Sequence, residues 1–381
     1  MSDRKWRARV VPAVLAAAAA AVLAGGAQAQ DVVRIGLSSP LSGPQAAYGQ
    51  DNLDGARLAI EELNARPVTL NGKTVKFELV YEDDTADPRQ GVLVAQKLAD
   101  SGVKFIVGPY NSGVTMPASR VYHEAGMVVA TVASNPKVTT QGHSRLFRVG
   151  ASDTQLGTMM ARYAAQQMKA KRVAIIDDRT AYGQGVANEF AKEAKAHGLA
   201  VVAQEYTSDK ATDFTAALTS IKAKTPDALF FGGYSAQAGP MLRQMRSLGI
   251  KAPFLGGDGI CSLETAKLSA GAAQNVFCTQ GGALLSKDAR GQTFVEKYRK
   301  AYKREPLTYA VAFYDATHLI ADAVRQAGSA DPAKVAPVIA KGSYQGVAAT
   351  YAFDDKHDLK SSPVTVYNFE QGRLVPVVSM Q

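Results

Sequence analysis

The side chains best able to do chemistry stand in short polar clusters spread along the chain. They are Ser39–Tyr48, Tyr110-Asn111-Ser112, Ser134-Asn135, Tyr182, Gly233-Tyr234-Ser235 and Gly256-Gly257-Asp258. Each follows a stretch that reads as a β-strand. Together they offer hydroxyls at the starts of predicted helices, several aromatic rings and one carboxylate. Hydroxyls and helix N-terminal amides suit a ligand carboxylate. A lone acid near aromatic rings suits an ammonium group. The set describes capture of a small solute more readily than a reaction.

Catalytic and cofactor signatures fail on the residues themselves. Gly183-Gln184-Gly185 has Asn188 in the place of the third glycine, which breaks the dinucleotide fingerprint. There is no Gly-x-x-x-x-Gly-Lys-Ser/Thr loop and no Gly-x-Ser-x-Gly elbow. His123, His143, His197, His318 and His357 are scattered, and none forms His-Glu-x-x-His. Glu82-Asp83-Asp84 lacks the regular spacing of a metal loop and reads as a solvated strand end. No enzyme activity, cofactor or metal is expected.

The elements that must position these clusters alternate strand and helix. Candidate strands are Val32–Leu37, Lys76–Glu82, Lys104–Gly108, Met127–Ala133, Arg172–Asp177, Ala200–Tyr206, Ala228–Gly232, Pro253–Leu255 and Val276–Thr279. Near-continuous apolar runs such as Phe105-Ile106-Val107 fit parallel strands covered on both faces. Helices fill the gaps. Leu53, Ala56, Ile60 and Leu63 recur at helical spacing, and Leu307–Ala327 reads as a long helix stopped by Gly328. Ligands in open parallel sheets sit beyond the C-terminal strand ends, where the clusters fall.

The pattern resets near Phe147-Arg148-Val149-Gly150, and again near Gly281-Gly282. That predicts an α/β fold of two Rossmann-like lobes with parallel sheets, joined by a hinge. The expected division is residues 30–152 and 281–356 in the first lobe, with 153–280 and 357–381 in the second. Residues 1–29 read as an export signal. Arg4, Lys5, Arg7 and Arg9 precede the apolar run Val10–Gly26, and Ala27-Gln28-Ala29 supplies a cleavage site. The mature chain is expected to start at Gln30 and to be periplasmic. The formal net charge is +9, with basic and acidic residues interspersed, so no nucleic-acid patch is expected. Export places Cys261 and Cys278, the only cysteines, in an oxidising compartment, and a disulfide between them is expected.

The clusters also carry a resemblance. Beside the opening Val33–Ile60 stand Tyr81-Glu82-Asp83-Asp84, Ile106-Val107-Gly108-Pro109, Ala133-Ser134-Asn135-Pro136, Tyr182-Gly183-Gln184-Gly185 and Gly232-Gly233-Tyr234. In this order they resemble the leucine/isoleucine/valine-type periplasmic solute-binding proteins of ABC transporters, which have the type I two-lobed fold. The resemblance implies roles. Ser112 and Ser134 look like hydroxyls that bind a ligand carboxylate, helped by the backbone of Ala133. Tyr182 and Tyr234 look like second-lobe residues that close over the ligand. Asp258 stands where the family usually has Glu, the ammonium partner. Tyr48 and Tyr309 lie where aromatic residues line the side-chain pocket. The implied function is capture of a small amino acid, branched-chain or aliphatic, by a monomer that delivers it to permease subunits. An aromatic acid, an amide, urea, or a sensor role without transport are the alternatives.

Overall fold

The computed structural model describes residues 31–66, 68–70 and 72–380. The expected leader and cleavage site, residues 1–29, lie outside the described residues. The first sheet is built from β1 (Asp31–Ser39), β2 (Val68–Leu70), β3 (Lys73–Asp83), β4 (Phe105–Val107), β5 (Val128–Thr131) and β6 (Leu146–Arg148). Their spatial order is β2-β3-β1-β4-β5-β6. All pairings are parallel except β2 with β3. The helices α1 (Ala46–Ala65), α2 (Pro88–Asp100) and α3 (Ser112–Glu124) connect the first strands. Ile35, Leu37, Phe105 and Val107 are buried in one core cluster, while Ile106 and Val129 are buried in another. This two-sided covering is why the strands read as unbroken apolar runs.

The second sheet begins after α4 (Asp153–Gln166). Its parallel strands are β7 (Arg172–Asp177), β8 (Ala200–Tyr206), β9 (Ala228–Gly232), β10 (Phe254–Gly256) and β11 (Val276–Gly281). Helices α5 (Ala181–Ala196), α6 (Thr215–Ala223), α7 (Ser235–Ser247) and α8 (Leu263–Leu268) alternate with them. The chain then returns to the first lobe through α9 (Ala289–Tyr302), α10 (Ala310–Ala327) and α11 (Pro332–Lys341). A small hairpin follows, β12 (Tyr344–Gln345) with β13 (Thr350–Tyr351). The strap after it packs on β6, where the His357 ring stacks 4.4 Å from that of Phe147. The chain rejoins the second sheet with β14 (Val364–Glu370) and β15 (Arg373–Met380). These two are antiparallel additions to its edge. No helix among the described residues is long and apolar enough to cross a membrane.

Two details hold the first lobe together. At Gly55 a Cβ would stand 2.0 Å from the carbonyl oxygen of Ala310, so only glycine lets α1 cross α10 this closely. Beside it, the buried Asp51 carboxylate accepts from the amides of Leu307 and Ala310 at 2.8 and 2.9 Å. It also accepts from the Tyr298 hydroxyl at 2.9 Å. This carboxylate satisfies the start of α10, whose first amides have no intrahelical partner. The long helix predicted from Leu307 accordingly starts at Ala310, and Leu307–Tyr309 becomes its entry. In the second lobe Cys261 and Cys278 are bonded as a disulfide across a Cα separation of 5.2 Å. A cross-link closing a loop of this size contributes on the order of 3 kcal/mol.

Candidate functional site

The C-terminal ends of the central strands of both sheets face one cleft, and the lobes are closed over it. The Tyr48 hydroxyl, from α1, lies 2.5 Å from Ser235 Oγ and donates to the Gly259 carbonyl at 3.0 Å. Asn135 Nδ2 donates to the Ala181 carbonyl at 2.6 Å, and Thr308 Oγ1 to that of Cys261 at 2.9 Å. Asn111 Nδ2 donates to the Tyr234 hydroxyl at 3.0 Å. Each of these bonds runs from the first lobe to the second.

Between the lobes is a tight inner cavity. It is lined by Tyr110, Ser112, Val132, Ser134, Tyr182, Tyr234, Asp258, Gly259 and Tyr309. Six of the eight residues expected to contact ligand come together here: Ser112, Ser134, Tyr182, Tyr234, Asp258 and Tyr309.

Ser112 is the first residue of α3, and its Oγ accepts from the Asn135 amide at 3.2 Å. The first amides of α3 have no intrahelical acceptor, which leaves a donor-rich rim at this end of the cavity. Ser134 sits on the loop after β5. That loop is pinned by the buried Arg148 guanidinium, which donates to the carbonyls of Ala133 and Asn135 at 2.6 and 3.0 Å. From the second lobe comes Asp258, which follows β10 and is buried. Its carboxylate accepts from the Tyr309 hydroxyl. Burial pushes the Asp258 pKa up, and the hydroxyls of Tyr309 and Tyr182 pull against that. Tyr182 is itself held by the Gly259 amide, which donates to its oxygen at 2.8 Å.

Two expected residues take other places. Ala133 does not line the cavity. Its amide donates to Thr131 Oγ1 at 3.0 Å and its carbonyl is taken by Arg148, so Val132 presents itself instead. Tyr48 stands one layer behind, its ring stacked on Tyr110 at 5.6 Å while its hydroxyl ties the lobes.

The sequence also hid a second acid. Asp153, at the start of α4, is wholly buried, and neither carboxylate oxygen has a hydrogen-bond partner among the described residues. Burial pushes its pKa well up. The nearby Ser134 hydroxyl opposes this, and the Asp258 charge adds to it. One Asp153 oxygen lies where a Cβ at Gly185 would be 2.3 Å away, so α5 can approach only as glycine. A cationic group beside these two acids would favour their charged forms, as Arg148 already does in part for Asp153. Among the described residues no cluster of three or more His, Cys, Asp or Glu could hold a metal.

Comparison with known proteins shows the family. A family model described as periplasmic binding protein matches residues 32–373. The Leu/Ile/Val-binding protein homolog 1 of Brucella abortus (strain 2308) is 37% identical over 360 residues, covering 93% of this chain and 95% of that protein. A leucine-, isoleucine-, valine-, threonine-, and alanine-binding protein of Pseudomonas aeruginosa is 32% identical over 360 residues, covering 94% and 95%. Among solved structures, the branched-chain amino acid transporter substrate binding protein LivJ from Streptococcus pneumoniae, in complex with isoleucine, superposes with a TM-score of 0.81. It is 29% identical and covers 91% of this chain and 100% of that one.

Proposed function

Because the chain belongs to the periplasmic binding protein family, we propose that it captures a small aliphatic or branched-chain amino acid in the interlobe cleft and hands it to the permease of an ABC importer. The carrying observation is an interlobe cavity where a helix start and hydroxyls meet the buried Asp258, with the buried Asp153 close to Ser134. The ligand carboxylate lies at Ser112 and the first amides of α3. Its ammonium lies between Asp258 and Asp153. Ser134, beside Asp153, offers its oxygen to the ammonium rather than its proton to the carboxylate. Tyr110, Tyr182, Tyr234 and Tyr309 surround the remainder. Aromatic faces add attraction for the cation. The names of the relatives support this solute class. An aromatic acid fits less well, because it brings a second anion to buried carboxylates and no cation to offset them.

The protein performs no reaction in this reading and acts as a monomer. The lobes open to admit solute and close on it, and the closed pair is what the permease recognises. A thermal-shift screen of aliphatic amino acids, alanine, threonine, amides, urea and aromatic acids tests the assignment. A true solute at about 100 times its Kd raises stability by roughly 2.7 kcal/mol. Stabilisation by aromatic acids alone would overturn the amino-acid reading and leave the fold intact. We also propose export with removal of residues 1–29. Mass spectrometry of periplasmic material should find a chain beginning at Gln30, and an intact N-terminus there would refute the cleavage.

A further inference from the structure

Solute binding between two lobes has two parts: contact with the solute, and closure of the lobes around it. Groups that bond only across the lobes stabilise the second part. Tyr48 is such a group. It is buried in α1 of the first lobe, and both partners of its hydroxyl belong to the second. They are Ser235 Oγ, at the start of α7, and the Gly259 carbonyl. Neither Tyr48 nor Ser235 lines the inner cavity.

The bonds converge on one turn. Ser235 Oγ lies 2.6 Å from Thr265 Oγ1, which donates to the Ile260 carbonyl at 2.7 Å. A chain of buried hydroxyls therefore runs from Tyr48 to the turn Asp258–Ile260. The first lobe holds that turn at two further points. Thr308 Oγ1 donates to the Cys261 carbonyl at 2.9 Å, and the Tyr309 hydroxyl donates to the Asp258 carboxylate. Within the second lobe, the disulfide from Cys261 to Cys278 ties the end of the turn to β11. The Tyr48 ring has support of its own, stacked on Tyr110 at 5.6 Å, and a phenylalanine would keep that contact.

We propose that Tyr48 is the latch of the cleft, a positioning residue that stabilises the closed lobes over every solute and discriminates between none. A group behind the cavity acts on the closure step, which all solutes share, so its loss lowers all affinities by one factor. A group in the cavity wall meets each solute differently, so its loss changes their ratios. The latch does not depend on which solute class the inner cavity takes.

The test compares Tyr48→Phe with wild type by calorimetry, using L-leucine, L-alanine and benzoate as probes. Every probe that binds wild type should bind the variant about 5- to 50-fold more weakly, the range for two net hydrogen bonds. The ratio of leucine to alanine affinity should stay as in wild type. Stopped-flow dissociation should quicken by most of the same factor, because changes within one interface fall mainly on release. A merely structural tyrosine would lower the urea midpoint and leave release alone. Ser235→Ala removes the same contact from the other lobe and carries the test if Tyr48→Phe does not fold. With both variants folded, the double variant should lose less than the sum of the two, since they share one contact. Unchanged affinities, or a loss that differs between leucine and alanine, overturn the latch. So do strictly additive losses. If benzoate alone binds, the amino-acid reading of the inner site fails. Weaker benzoate binding by Tyr48→Phe then still supports the latch, and equal binding overturns it.

Discussion

Replacing Asp258 with alanine should weaken binding of an α-amino acid by roughly two to four orders of magnitude. The solute's ammonium must lose its water when the cleft closes, and breaking a buried charge pair typically costs about 3–5 kcal/mol. Asp258 is buried and lies against the Tyr309 hydroxyl, so water cannot take over its role. Asp153 remains as a second acid, which places the expected loss inside that range and not beyond it. Ser134→Ala should cost less, about 1–3 kcal/mol, since it removes a hydroxyl and no charge. Calorimetric titration of both variants with the best solute from the screen decides the matter. An α-amino acid that binds Asp258→Ala as well as wild type would refute the assignment. A solute without an ammonium should bind that variant equally or better.

Asp51→Ala should destabilise the fold by about 3–5 kcal/mol, although Asp51 does not line the cavity. Its carboxylate is where α1, α9 and the entry of α10 meet. It accepts from Tyr298, from the Leu307 and Ala310 amides, and from Arg304 at 3.4 Å. Alanine strands two buried amides and a phenol at once. Arg304 keeps Asp54, at 2.8 Å, so the loss falls mainly on the helix start. The only tryptophan, Trp6, lies in the proposed leader, so unfolding of the processed chain is best followed by circular dichroism in urea. A midpoint within error of wild type would remove Asp51 from the account. Thr308 and Tyr309 hang from the same entry segment, so surviving folded protein should also bind solute less tightly.

The parallel strands were legible because covering on both faces leaves a strong apolar signal, as at Phe105–Val107 and Ala228–Gly232. The site clusters were legible because strand ends and helix starts are where such sheets place ligands. The antiparallel edge was missed, though Val364–Glu370 alternates and Gln371-Gly372, both at positive φ, turns the hairpin. Asp153 was missed for a different reason. It begins a helix just after the chain changes lobes, so no strand points to it. Ala133 was expected to help through its backbone, and the carbonyl it offers is engaged by Arg148, a partner that sequence spacing does not reveal. Tyr48 has the right chemistry, but which layer it occupies depends on Tyr110, distant in sequence.

The crossing of α1 over α10 at Gly55 joins segments made early and late. The buried flank of α1, with Leu53 and Ala56, finds its cover only after residues 310–327 have emerged from the ribosome. The first lobe thus cannot complete itself from its own N-terminal strands. It waits while the whole second-lobe sheet up to β11 is synthesised. Long-range closure of this kind is slow. That delay keeps the front end of the chain slack until its tail arrives, which suits the export proposed for it.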